Sequence, residues 1–164
     1  MPVNRSEDTG RMPVLLDDKI YNRPLAMNNQ KNFVLLGAVF ALLTVVLGAF
    51  GAHALEAPLE ARGSVETWKT AVDYQMWHAL ALLLLVALRI DGRAAKVAGY
   101  CFCIGVTLFS GSLYWLALDG PRWLGPITPI GGLLLISGWI ALIVATCKTQ
   151  KLRSTLTPRV SADK

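Results

Sequence analysis

Residues 33–52 read FVLLGAVFALLTVVLGAFGA, from Phe33 to Ala52 without a single charge. At 1.5 Å per residue a helix of that length is about 30 Å long, one hydrocarbon thickness. The rest of the chain repeats the pattern. Hydrophobic residues make up 54% of the 164 and charged ones 16%, below the roughly 25% charge usual in soluble domains. They also come in long blocks instead of at a helical or strand period, which makes lipid the expected solvent.

Upstream, residues 1–32 are polar and mixed in charge, with Pro2, Pro13 and Pro24. This composition predicts a disordered cytoplasmic tail. Asp8, Asp17 and Asp18 argue against a mitochondrial transit peptide, which is poor in acids. Met27 offers a second start, and from there Lys31, an apolar stretch and Ala52-His53-Ala54 imitate a signal peptide. The stretch is longer than a usual signal core, which favours an uncut span.

Downstream, Pro58 and Gly63 mark a polar connection, and Ser64 can cap a helix with Glu66 in its first turn. Val65, Trp68 and Val72 share a stripe that leaves out Glu66, Lys69 and Asp73. That predicts a short amphipathic helix in the interface before the second span. Further spans are expected at about 74–88, 97–118 and 128–146. The second is short enough to need help from local thinning or from its interfacial ends, with Arg89 able to snorkel at its inner end. Thr128 and Pro129 suit the cap and first position of the fourth. Residues 148–164 form a basic tail. Residues 33–147 thus read as one all-α membrane domain, a four-helix bundle, because apolar runs that do not alternate are not barrel strands.

Lysine and arginine set the orientation. Arg5, Arg11, Lys19, Arg23 and Lys31 precede the first span, and Arg89, Arg93 and Lys96 follow the second. Lys148, Lys151, Arg153, Arg159 and Lys164 follow the fourth. The other connections hold Arg62, Lys69 and Arg122. The positive-inside rule then puts both termini in the cytoplasm, and in a bacterium the protein in the inner membrane. The same distribution accounts for the net charge of +5 without nucleic acid, since no aromatic residues interleave with the basic ones. Cys101, Cys103 and Cys147 lack zinc or disulfide spacing and read as packing residues. Small residues recur at i+4 as Thr44, Gly48 and Ala52, as Gly99, Cys103, Thr107 and Gly111, and as Ser137, Ala141 and Ala145. These are expected seams where backbones approach closely. Self-association, or contact with other membrane proteins, is compatible with them.

On this topology the polar residues of the spans gather at the end away from the cytoplasm. They are His53, Asp73, Tyr74, Gln75, His78, Ser110, Ser112, Tyr114 and Thr128. Gly48-Ala49-Phe50-Gly51-Ala52-His53-Ala54-Leu55 resembles the signature of the family catalogued as domain of unknown function 423, whose animal relatives include transmembrane protein 256. The stretch Trp68 to Leu80, Leu108-Phe109-Ser110-Gly111-Ser112-Leu113-Tyr114 and Ile127-Thr128-Pro129-Ile130-Gly131-Gly132 are similar to its later motifs. The resemblance covers about 33–146 in order. It implies a multi-pass membrane protein with an uncut first span, and no particular reaction.

Four functions compete. His53 and His78 on different helices could ligate haem or a metal ion, but with Asp73 as the one supplement the ligand set is incomplete. Ser110 or Ser112 with His78 and Asp73 could form a hydrolytic triad, but no G-x-S-x-G elbow is present. A transporter usually keeps an ionisable group deep in a span, and none is expected at mid-span here. A non-enzymatic accessory, scaffold or small-ligand-binding bundle fits best, with no cofactor. In that case the polar residues form an interhelical network.

Overall fold

The computed structural model describes residues 24–90 and 92–156. They form five α-helices and a 3-10 turn: α1 (Pro24–Ala52), α2 (Glu56–Ala61), α3 (Val65–Ala87), α4 (Arg93–Ala117), the turn Arg122–Leu124, and α5 (Ile127–Leu156). Each of α1, α3, α4 and α5 contains a segment long and apolar enough to cross a bilayer: Gln30–Ala52, Val65–Ala87, Arg93–Ala117 and Ile127–Lys148. The all-helical, four-span expectation holds.

Helix bounds differ from the expected ones in physically readable ways. α1 begins at Pro24, so residues 24–32 belong to it. Proline suits a first helical position, and the Leu-Ala-Met stretch that follows favours helix. The expected tail segments 1–23 and 157–164 lie outside the described residues. At the other end α5 runs on to Leu156, past the expected limit near Thr146.

The expected interfacial helix over Ser64–Asp73 is instead the first part of α3, a single helix of 23 residues. No Gly or Pro interrupts Val65–Ala87. The buried residues Trp68, Ala71, Gln75, His78, Leu82 and Leu85 continue one stripe along its whole length. The helix is therefore about 34 Å long and needs no thinned bilayer. The short helix that does precede it is α2, anchored by the fully buried Leu59.

Three helix ends close in the same manner. Ser64 N–H reaches Leu59 O after α2, Ile90 N–H reaches Leu85 O after α3, and Gly120 N–H reaches Trp115 O after α4. These six-to-one bonds pair terminal carbonyls that lipid would leave unsatisfied. Each turn needs one left-handed residue: Gly63 (φ 63), Arg89 (φ 51) and Asp119 (φ 66).

α3 and α4 are the central pair. α1 packs chiefly on α3, and α5 chiefly on α4. Large side chains enter glycine notches, Phe33 over Gly99, Leu135 over Gly105 and Phe102 over Gly138, while Gly131 lets the α4 backbone at Phe109 come close to α5. One core, with Phe33, Leu82, Leu85, Phe102, Val106 and Leu135, lies toward the Arg89 end. A second, around Leu59, Trp68 and Ala117, closes the opposite end, called here the Trp68 end.

Candidate functional site

The polar side chains expected in one layer occupy two levels. Because α3 starts at Val65, Gln75 and His78 sit about 15 and 20 Å along it, near mid-span. The deep level is a hydrogen-bonded network. Gln75 Nε2 donates to Phe40 O of α1 (3.0 Å), a carbonyl that also accepts from Thr44 Oγ1 (2.8 Å). His78 Nδ1 donates to Tyr74 O (2.7 Å), and its Nε2 accepts from the Trp139 indole N–H of α5 (3.1 Å). Both ring nitrogens are thus occupied and the tautomer is fixed. The imidazole is 4% exposed and lies among Tyr74, Phe102 and Trp139.

Toward the Trp68 end the residues do different work. Trp68 Nε1 donates to Leu47 O of α1 (3.0 Å), and its ring meets Tyr114 of α4 edge to face at 4.8 Å. Ser64 occupies the cap position of α3, yet its hydroxyl does not cap that helix. It donates to Ala117 O (2.8 Å), a carbonyl at the end of α4. Thr128, expected as a cap, lies inside α5 and shares a 2.7 Å hydrogen bond with Ser112 of α4. Ser110 Oγ and Tyr114 Oη are buried without a hydrogen-bond partner.

A cavity of about 510 Å³ opens between the end of α1, α2 and the first half of α3. Gly48, Gly51, Val65 and Val72 line it, the almost wholly buried Trp68 borders it, and Glu56, Glu60 and Asp73 carry its negative charge. Lys69 also borders it, but its ammonium is drawn to Glu66 (3.1 Å), which lies off the wall. Asp73 is exposed and about 12 Å along α3 from Val65, and its carboxylate has no hydrogen bond or ion pair among the described residues.

His53 is exposed in the turn between α1 and α2 and makes no contact with His78. No three His, Cys, Asp or Glu side chains among the described residues converge on one ion position. The hydrolytic triad is not assembled either: the partners of His78 are Tyr74 and Trp139, not a serine or Asp73. Sequence reasoning missed Trp139, Glu56 and Glu60. The i,i+4 spacing of Glu56 and Glu60 beside Pro58 was a usable signal for an amphipathic turn. A lone Trp in an apolar span gave none.

Fold and site together define a four-span helical membrane protein with a locked polar interior and a charged cavity at one end. A family model described as "Protein of unknown function (DUF423)" matches residues 47–132. The chain is 47% identical over 121 residues to a UPF0382 membrane protein of Staphylococcus haemolyticus, covering 72% of this chain and 97% of that relative. It is 44% identical over 121 residues to the UPF0382 membrane protein YwdK of Bacillus subtilis, covering 72% of this chain and 98% of that one. The chain belongs to this family of membrane proteins. No solved structure matches it.

Proposed function

We propose that the protein is a non-enzymatic, small-ligand-binding accessory bundle of a bacterial cytoplasmic membrane. Both termini face the cytoplasm and the cavity at the Trp68 end opens outward. The cavity is the observation that carries this reading. At about 510 Å³ it falls in the range of small-molecule sites, and it mixes apolar walls with a few polar groups. Bacterial relatives called membrane proteins and the basic flanks support the location. The exposed apolar faces of α1 and α5 leave room for neighbouring membrane proteins or a second copy.

Native mass spectrometry of protein extracted from its own membranes tests the reading. A bound small molecule is expected on the wild type and absent from Gly48→Leu, whose side chain fills the cavity beside Val72. A bare wild type, or the same mass on both forms, sinks it. A carrier is the second reading, favoured by Asp73 lying deeper in its span than the sequence led one to expect. Net uptake or efflux in reconstituted vesicles, lost in Asp73→Asn, would replace the accessory role with transport.

A further inference from the structure

The charge on the cavity wall is one-sided. Glu56, Glu60 and Asp73 border it with Lys69 as the one cation, and that ammonium already bonds Glu66 outside. Two of the carboxylates stand on α2, at the rim. The third, Asp73, stands two turns inside a membrane-crossing helix. An ionised group in that position is costly unless a counter-charge meets it, and such groups mark ligand or ion paths.

The carboxylates are spread round the wall, with no three of them, His or Cys close enough to grip one metal ion among the described residues. The lining also has apolar surface from Val65 and Val72, with the Trp68 ring, 4% exposed, packed behind it. That ring is held in one orientation by its bond to Leu47 O and by Tyr114 packed against it. Gly51 has no side chain to stand between the ring and α1. Spread negative charge, apolar walls on a rigid backing and several hundred cubic ångströms of space suit a large cation with an apolar body.

We infer that the cavity bordered by Trp68, Glu56, Glu60 and Asp73 binds a lipophilic organic cation, with Asp73 as its deep counter-charge. The inference rests on the ligand-binding reading above and names the ligand's chemical class. The cation's apolar groups pack against Val65 and Val72. Its charge offsets Asp73 below, and the α2 carboxylates attract it at the mouth.

Tetraphenylphosphonium and tetraphenylborate, matched in shape and opposite in charge, provide the test. Their binding is measured on purified protein in nanodiscs of zwitterionic lipid, with empty discs subtracted. Saturable binding of the phosphonium is expected, weakened about tenfold or more in Asp73→Asn. Asp119→Asn, the same charge change in the turn after α4 and outside the cavity lining, should leave it unchanged. If Asp73→Asn does not fold, Glu60→Gln serves, with a loss of about threefold. Equal phosphonium affinity in wild type and the wall variants, or equally tight borate binding, overturns the inference. A wild type that ignores the phosphonium yet carries a native molecule lost in Gly48→Leu overturns the cation class alone and leaves the ligand-binding reading standing. Absence of both removes the two together.

Discussion

His78 shows how a residue that looks like a ligand becomes a fastener. Its two nitrogens are engaged, one to its own helix and one to Trp139 across the bundle. Lipid offers no replacement partner to either. Trp139→Phe keeps the ring packing and removes one interhelical hydrogen bond. A loss of about 0.5 to 1.5 kcal/mol in detergent unfolding is expected, the range such bonds show inside membranes. The same bonding predicts that the purified protein has no Soret band; a band abolished by His78→Ala would show that His78 leaves Trp139 to bind haem. Gly51 is a second single-atom constraint. A Cβ there would occupy the position of the Trp68 indole. Gly51→Ala should displace the ring, break its bond to Leu47 and cost about 1 to 3 kcal/mol by overpacking. Thermal unfolding together with tryptophan fluorescence checks both parts. The histidines and aspartate were visible as unusual residues in apolar surroundings. Their partners were not, because Trp139 is 61 residues from His78 and nothing local relates them.

Helices were the most legible elements. The apolar runs identify four spans because a bilayer selects length and hydrophobicity alone. Their limits were harder to read, since Glu66, Lys69 and Asp73 lower the apolar count of α3 without breaking its backbone. The expected division at Asp73 placed His78 and Gln75 near an interface. Continuous pairing from Val65 to Ala87 puts them near mid-span instead. Turn chemistry at the helix ends follows a single pattern, with one residue poorly suited to it. Arg89 adopts φ 51, where a side chain costs energy that glycine avoids. Arg89→Gly is expected to stabilise the protein by about 0.5 to 1 kcal/mol in neutral detergent, where the arginine has no anionic headgroup to meet. Equal or lower unfolding midpoints would show that its side chain contributes more than its backbone strain costs.

At the scale of the molecule the arrangement is a central pair, α3 and α4, with α1 and α5 on its flanks. Lipid tolerates the wide apolar faces of the flanking helices, so nothing drives them to close on each other. Topology belongs to this scale. Reporters joined at the C-terminus and in the Arg89–Arg93 connection should be active on the cytoplasmic side, and one inserted near Gly120 on the opposite side. A reversed pattern would turn the cavity inward and remove the proposed outward access.

Composition and the spacing of charge determined that this chain lives in a bilayer and crosses it four times, because partition into lipid depends on what each segment contains and not on its neighbours. Which polar groups meet was decided by tertiary structure alone. The Gln75–Phe40 and His78–Trp139 bonds, and the cavity between α1, α2 and α3, arise from helix register and from large side chains entering glycine notches. Those contacts join residues far apart in the chain and leave no periodic mark in it.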